Sequence, residues 1–369
     1  MYFRDVIGLH DVKQHLINSV RQGHVPHARI FYGPEGVGKL PLAIAYARYL
    51  NCSNRGDEDA CGECPSCHKF DKWAHPDLHF VFPVVKSKVS DHYLSQWREF
   101  LSGHHYFNLN DWLNFIDAQN AQGIIYAKES DEIIRKLNLK VYEAPYKIMV
   151  VWLPEKMHVV CANKLLKLLE EPPGDTVFLL VSEEKEDVLQ TIWSRCQPLH
   201  IRAIEKEEMG VALQQKFGLD REQALSTAHI ANGSFTKAIE IIQTSEYREY
   251  LLELFMQMMR DAFSGKIKPI REIANKIAGI GREMQKSFLL YSLGLFREYF
   301  VSNLHEPEIV YLNKEEQQFG ERFAPFINEK NIETLSEEFS LAYRQIEQNG
   351  NAKIIFLDLC LKVTMLLRK

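Results

Sequence analysis

The chain has 369 residues, 46% hydrophobic and 25% charged, which is ordinary for globular proteins and, at about 150 residues per domain, predicts two or three domains. Its 44 Lys and Arg residues against 49 Asp and Glu residues give a formal net charge of -5, which excludes a protein that coats nucleic acid through its overall charge. No run of about 20 apolar residues occurs, and the first residues are amphipathic rather than secretory. We therefore expect a cytoplasmic protein without a membrane span.

The first 200 residues alternate short apolar runs with helical patterns. The two clearest helices are predicted at 40–50 and 159–171. Short buried strands separated by helices indicate a mostly parallel sheet that is covered on both faces. The predicted fold class is therefore an α/β domain with a parallel sheet, and its strands are predicted at 28–32, 78–82, 147–152, 176–181 and 198–201.

A glycine-rich loop follows the first predicted strand, and its sequence GPEGVGK matches the G-x-x-x-x-G-K part of a phosphate loop. In such a loop Gly33, Gly36 and Gly38 let backbone N–H groups turn toward phosphates, and Lys39 reaches the outer phosphates. The next position normally carries a Ser or Thr hydroxyl that holds Mg²⁺, but here it is Leu40. The pattern predicts a retained nucleotide-binding fold in which hydrolysis is compromised.

The third predicted strand carries a second departure. In phosphate-loop ATPases an acidic residue at the end of this strand serves Mg²⁺ and water, but Trp152 and Leu153 stand there. Glu155 follows only after a proline turn, and we interpret it as a solvated turn residue. Two independent defects in one site indicate a lost catalytic centre.

Four of the seven cysteines are clustered in a turn-rich segment: Cys52, Cys61, Cys64 and Cys67. Four thiolates suit tetrahedral Zn²⁺ and leave no open coordination position, so the cluster predicts a structural zinc site. His68 and His75 lie nearby, but the four cysteines already complete the ligand set. We interpret both histidines as surface residues.

The remaining sequence is predicted to be helical. Residues 83–129 are rich in His, Asn and aromatic residues and are predicted to form a helical insertion, to which the sequence assigns no chemistry. After about residue 202 the strand signals stop. A small helical domain and a helical bundle are expected there.

Three further segments carry a resemblance to a known family. Residues 163–173, NKLLKLLEEPP, and residues 191–196, TIWSRC, resemble two motifs of AAA+ clamp loader subunits. The cysteine module and the HPD run at 75–77 are similar to those of the bacterial subunits. On these motifs the chain is identified as a member of the bacterial DNA polymerase III clamp loader family. The resemblance implies an AAA+ domain over 1–201, including the zinc module (52–67) and the insertion (about 83–129), then a helical lid over 202–245 and a helical collar for oligomerisation over 246–369.

The departures from the family's motifs are similar to those of the delta-prime type and differ from the ATP-hydrolysing gamma/tau type. A gamma-type subunit would carry a hydroxyl after Lys39, a D-E pair where Trp152 and Leu153 stand, and an arginine where the run GSFT has Thr236. The resemblance thus implies a non-motor subunit that does not hydrolyse ATP, although bound ATP or ADP stays open. The alternatives are an active gamma/tau-type ATPase and a free-standing zinc-dependent nucleic-acid-binding protein.

The resemblance also singles out Arg195, in the S-R-C run, as an arginine finger that reaches the ATP site of a neighbouring subunit. Without the resemblance, Arg195 would be interpreted as a surface residue paired with a carboxylate. The implied partners are the gamma/tau and delta subunits, with primed DNA and the sliding clamp met through the assembled complex. Lys164 and Lys167 are weak candidates for DNA contact, and a solvated helix face is the simpler interpretation.

Overall fold

The computed structural model describes residues 1–119, 121–303 and 312–368, and these fold into two compact units, Met1–Ile242 and Gln243–Lys369. Within the described part of the chain, no helix is both long and apolar enough to cross a membrane. The prediction of three domains, with a separate lid over 202–245, stays a prediction.

The first unit is built on a five-stranded sheet in which all strands are parallel. The strand order is β2-β3-β4-β1-β5. Because all the strands are parallel, each connection between consecutive strands is a crossover, and each of these connections contains at least one helix. The strands are β1 (Ala28–Tyr32), β2 (Leu78–Val81), β3 (Lys147–Trp152), β4 (Thr176–Ser182) and β5 (Gln197–His200). The predicted parallel sheet is confirmed, although β5 begins and ends one residue earlier than expected.

Alternate residues of the strands enter two different cores, as the two-residue period of a strand requires. In β3, Ile148 and Val150 pack on one side with the helix Lys39–Asn51, while Met149 and Val151 pack on the other side with the helix Val159–Glu170. The helices of this unit up to the last strand are α1 (His10–Arg21), α2 (Lys39–Asn51), α3 (Pro65–Asp71), α4 (Leu94–Gly103), α5 (Leu109–Phe115), α6 (Glu129–Asn138), α7 (Val159–Glu170) and α8 (Gln190–Trp193).

The predicted helical insertion contains α4 and α5 and packs through aromatic side chains. Trp97 and Trp112 are fully buried with their ring centroids 4.9 Å apart, and Phe107 lies 5.2 Å from Trp152 of β3. Aromatic residues of this size bury large apolar areas. The insertion is therefore part of the main core rather than an appendage.

Three helices follow the sheet: α9 (Lys206–Phe217), α10 (Arg221–Ala231) and α11 (Phe235–Ser264). Met209, Leu213, Ala228 and Phe235 form their common core, which also takes in Tyr106 from the insertion. Residues 202–242 belong to the first unit. They bring the start of α11 onto the phosphate loop.

The described residues of the second unit form helices joined by short turns, and they have their own core, in which Phe255, Phe296 and Phe339 are fully buried. Its helices after α11 are α12 (Ile267–Ala278), α13 (Arg282–Ser302), α14 (Lys314–Phe323), α15 (Ile332–Glu347) and α16 (Ala352–Leu366). The predicted helical bundle is thus present.

Candidate functional site

The glycine loop joins β1 to the N-terminus of α2, as a phosphate loop does. Gly33, Gly36 and Gly38 have positive φ angles of 148°, 76° and 91°. Glycine adopts such angles at little cost because it has no Cβ. The three glycines therefore allow the backbone of the loop to turn.

The loop is covered by other parts of the first unit. The Phe235 N–H donates to the Gly36 carbonyl oxygen at 2.9 Å, and a Cβ added to Gly36 would lie 2.1 Å from Ser234 Oγ. A Cβ added to Gly33 would lie 2.1 Å from the Ile201 carbonyl oxygen. Ile201, Ser234 and Phe235 thus lie directly against the loop.

Lys39 does not point into open space. Its side chain is buried, and Nζ donates to the carbonyl oxygen of Pro34 in its own loop. Burial lowers the pKa of the Lys39 ammonium, against the opposing charge of the Glu183 carboxylate. The lysine that would meet the outer phosphates is folded back and paired within the chain.

The space left at the loop is small. The cavity between the loop, Tyr106, Trp152, Glu183 and Thr236 has a volume of about 20 Å³. That is room for about one water molecule, whereas pockets for small ligands measure roughly 300–1,000 Å³. In this conformation that cavity cannot hold the phosphates of a nucleotide.

The interpretation of Glu155 as a solvated turn residue is wrong. Leu153 has a φ of 56°, which turns the chain so that the Glu155 carboxylate accepts the Glu183 N–H at 2.8 Å and the Glu184 N–H at 3.3 Å. Burial raises the pKa of Glu155 despite these bonds. The carboxylate ties the end of β3 to the end of β4 rather than meeting water.

Glu183 was missed from the sequence. It directly follows β4, and burial raises the pKa of its carboxyl to about 7, while the Lys39 ammonium lowers it. The available signal was its position, because the carboxyl ends of neighbouring parallel strands lie at one edge of a sheet, beside the loop after β1. Glu183 and Lys39 both line the small cavity beside the loop.

Arg195 lies just after α8, with its side chain 30% exposed. Nε donates to Glu170 Oε1 at 2.6 Å, Nη2 donates to the same oxygen, and Nη1 donates to the Thr191 carbonyl oxygen at 2.8 Å. Glu170 is the last residue of α7 and its side chain is 49% exposed. The next residue, Cys196, is buried among apolar side chains, as expected of a small hydrophobe.

The four clustered cysteines come together in space. The Sγ of Cys52 is 3.6 Å from that of Cys61 and 3.9 Å from that of Cys64, and the Sγ atoms of Cys61 and Cys67 are 4.0 Å apart. All four sulfur atoms lie within 4.8 Å of one another. Tetrahedral Zn²⁺ with Zn–S bonds of about 2.3 Å requires sulfur–sulfur distances of about 3.8 Å. The cluster therefore fits a structural zinc ion.

Backbone N–H groups surround these sulfurs. The Cys64 N–H donates to Cys61 Sγ at 3.3 Å, and the Cys67 N–H donates to Cys64 Sγ at 3.4 Å. Burial opposes ionisation of Cys64, but hydrogen bonds from Ser53 and Cys67 lower its pKa to about 6. Such bonds favour the thiolate form that binds a metal ion.

The interpretation of His75 as a surface residue is wrong, whereas His68 is exposed as expected. The His75 ring is buried against Phe70 with centroids 4.9 Å apart, and its Nδ1 accepts the Asp77 N–H at 3.1 Å. Burial lowers the pKa of His75. The HPD run thus packs beneath the cysteine module, and His75 is not among the four clustered ligands.

Comparison with known proteins places these features in a family. The family described as DNA polymerase III, delta subunit, matches residues 8–205, just over half of the 369 residues. The chain belongs to this family of clamp loader subunits. The match covers the sheet, the phosphate loop, the cysteine cluster and Arg195, whereas the helical second unit lies outside it.

Curated relatives include both subunit types. DNA polymerase III subunit delta' of Bacillus subtilis is 27% identical over 234 residues, which is 63% of this chain and 59% of that protein. DNA polymerase III subunit tau of Escherichia coli is 28% identical over 233 residues, which is 62% of this chain and 29% of that protein. The chain thus spans less than two thirds of either relative. A Thermotoga maritima structure, a DNA polymerase III gamma subunit-related protein, aligns over 98% of this chain and 100% of its own at 14% identity, with a TM-score of 0.39.

Proposed function

We propose that the chain is a non-motor subunit of the DNA polymerase III clamp loader, of the delta-prime type, that supplies Arg195 to the ATP site of a neighbouring subunit. One observation carries the proposal: the phosphate loop has Leu40 where Mg²⁺ needs a hydroxyl, and only about 20 Å³ of space remains beside it. Such a loop offers neither a metal ligand nor room for a triphosphate. The chain's contribution to ATP hydrolysis then comes from outside its own loop.

The chemistry of Arg195 supports a role at a neighbour's phosphates. A guanidinium is charged at all physiological pH values, and its planar fork binds phosphate oxygens in pairs. Its partner Glu170 is half exposed, and exposed ion pairs contribute at most about 1 kcal/mol. A phosphate oxygen can therefore replace Glu170 at little cost, and the guanidinium then stabilises charge that develops on the γ-phosphate.

Family membership supports the proposed partners. These are the gamma/tau motor subunits and the delta subunit, joined through the collar (246–369), which follows the AAA+ domain (1–201) and the lid (202–245) in the sequence. The chain would help to place the sliding clamp on primed DNA, and with a net charge of -5 its DNA contacts would be local and to phosphates. Lys164 is paired with Asp131 at 2.7 Å, which favours the solvated-face interpretation of this helix.

The cysteine cluster supports a structural Zn²⁺ in the proposed subunit. A zinc ion bound by Cys52, Cys61, Cys64 and Cys67 would cross-link a polar segment that lacks an apolar core of its own. Asp59, inside this segment, accepts the Phe3 and Arg4 N–H groups at 3.2 and 3.0 Å. The segment would thus hold the N-terminal residues in place.

The rival function is an active ATPase of the gamma/tau type, and the relatives do not decide between the two because both types match. Substitution of Lys39 distinguishes the two functions. In a complex reconstituted with motor subunits, we expect Lys39→Ala in this chain to leave ATP turnover within about twofold of wild type, because this loop does no chemistry. Isolated wild-type chain should not turn over ATP. Turnover by the isolated chain that Lys39→Ala abolishes would establish the rival.

A further inference from the structure

Tyr106 lies in the insertion, in the segment between α4 and α5, and connects three separate parts of the first unit. Its hydroxyl accepts the Ile7 N–H at 2.9 Å. Its ring lies edge-on to Phe235 with centroids 4.9 Å apart. A Cβ added to Gly38 of the phosphate loop would lie 3.0 Å from its hydroxyl oxygen. One side chain thus contacts the N-terminal segment, the start of α11 and the loop.

Tyr106 also separates two spaces. On one side is an open cleft of about 1020 Å³, whose walls include Ile7, Lys13 and Lys216. On the other side is the cavity of about 20 Å³ at the loop. Tyr106 and the neighbouring His105 line both spaces. The cleft has the volume of a small-ligand pocket, and no residue of the phosphate loop lines it.

We propose that Tyr106 is the residue that closes the phosphate loop to ligands, by filling from within the chain the passage between the cleft and Gly38. The ring is 8% exposed, and its hydroxyl satisfies a backbone N–H that would otherwise lose its partner. A phosphate-bearing ligand must displace this ring and break that hydrogen bond before it reaches the loop. Loss of a buried aromatic contact and of one hydrogen bond weakens binding by roughly 10²-fold.

The same contacts hold the start of α11 against the phosphate loop without a ligand. Phe235 packs on Tyr106 and donates its N–H to the Gly36 carbonyl, so the ring and the loop together hold the start of α11. The Tyr106 ring is covalently part of the chain, so its effective concentration is always high.

The inference rests on the proposed function only in taking residues 33–39 as a phosphate loop that has lost its ligand. It does not involve Arg195. Its test uses the isolated chain, whereas the role of Arg195 is measured in the assembled complex, so either can fail alone.

Phe107 provides the matched control. It is a neighbouring aromatic residue of nearly the same size and is 7% exposed. It lines the small cavity but not the cleft, and packs 5.2 Å from Trp152. Phe107→Ala therefore removes a buried ring without joining the two spaces.

The experiment is calorimetric titration of the isolated full chain with ADP and, separately, with inorganic pyrophosphate. We expect no binding by wild type or Phe107→Ala at 1 mM ligand, on the order of ordinary cellular levels, and binding of ADP by folded Tyr106→Ala with a gain of about 10²-fold. Equal ADP affinity in wild type and folded Tyr106→Ala, whether strong or absent, would overturn the proposal.

Tyr106→Phe decides the matter if the alanine variant does not fold. It keeps the ring and removes the hydroxyl, so ADP should still not bind. Hydrogen exchange at the Ile7 amide should become about tenfold faster, because its acceptor is lost. Unchanged exchange at Ile7 would show that Tyr106 does not hold this segment, and the proposal would then be wrong.

Discussion

The Asp77 carboxylate shows how one residue fixes the chain that leads into β3. It accepts three backbone N–H groups, from Tyr142 at 2.7 Å, Glu143 at 3.0 Å and Ala144 at 3.1 Å. Burial would raise the pKa of Asp77, but these bonds to the ionised form lower it below its usual value of 3.8. The carboxylate is therefore a source of pH-dependent stability.

Asp77→Asn should lower the free energy of unfolding by about 1–3 kcal/mol at pH 7, since an amide cannot accept all three bonds. The depressed pKa means that wild-type stabilisation is complete above pH 3.8 and is lost as the pH falls below it. The two proteins should thus converge in urea titrations at low pH. Asp187→Asn, at an exposed position, is the control. If the difference in unfolding free energy between wild type and Asp77→Asn stayed constant as the pH fell well below 3.8, this account would be contradicted.

At the scale of single residues, the sequence shows which side chains belong to a site better than it predicts what surrounds them. The four cysteines were found because metal ligands have a characteristic spacing. His75 and Glu155 were wrongly taken to be exposed because the groups that bury and bind them come from other elements. Glu155, for example, bonds to backbone 28 residues further along the chain.

The phosphate loop and the start of α11 form the element-scale contact that matters most for function. Gly36 has a φ of 76°, and an added Cβ would lie 2.1 Å from Ser234 Oγ and 3.1 Å from the Thr236 backbone nitrogen. A substitution there is strained in the backbone and clashes with Ser234 and Thr236. The contact therefore depends on glycine.

Gly36→Ala should destabilise the first unit by about 1–3 kcal/mol, measured by thermal or urea unfolding. Gly103 lies at the end of α4, and an added Cβ would meet nothing within 4 Å. Gly103→Ala should therefore change stability by less than about 0.5 kcal/mol. Equal effects of the two substitutions on stability would show that Ser234 and Thr236 do not restrict the residue at position 36.

The cysteine module is the second element whose stability can be tested. Cys64→Ser should remove one zinc ion per chain and lower the melting temperature by about 5 °C or more, because metal binding supplies folding energy here. Cys360→Ser, in the core of the second unit, should keep the zinc. Metal analysis and thermal unfolding measure both effects. A full zinc content in Cys64→Ser would exclude the four-cysteine site.

The five strands could be predicted because buried parallel strands are short, continuous apolar runs. The proposed closing of the phosphate loop by Tyr106 could not be predicted. It depends on Tyr106 contacting Ile7, 99 residues earlier, and no local pattern encodes a contact of that range. The departures at Leu40 and at the end of β3 were readable because they are departures from a fixed motif.

At the scale of the whole molecule, the match over residues 8–205 establishes the family for the first unit. The second unit, Gln243–Lys369, contributes an independent helical core. A net charge of -5 fits a subunit whose main contacts are with proteins and whose DNA contacts are local. The chain thus combines a parallel-sheet scaffold with a phosphate loop that has only a small cavity beside it, and Arg195 is paired with Glu170 in the first unit.

The measurement that tests this account most directly is single-turnover ATP hydrolysis by the loader reconstituted with Arg195→Ala. We expect hydrolysis at the neighbouring site to fall by a factor on the order of 10², with assembly unchanged. Arg202→Ala is the matched control, since Arg202 is also a surface arginine paired with carboxylates, and it should retain wild-type rates. Unchanged hydrolysis and clamp loading in Arg195→Ala would contradict the central claim.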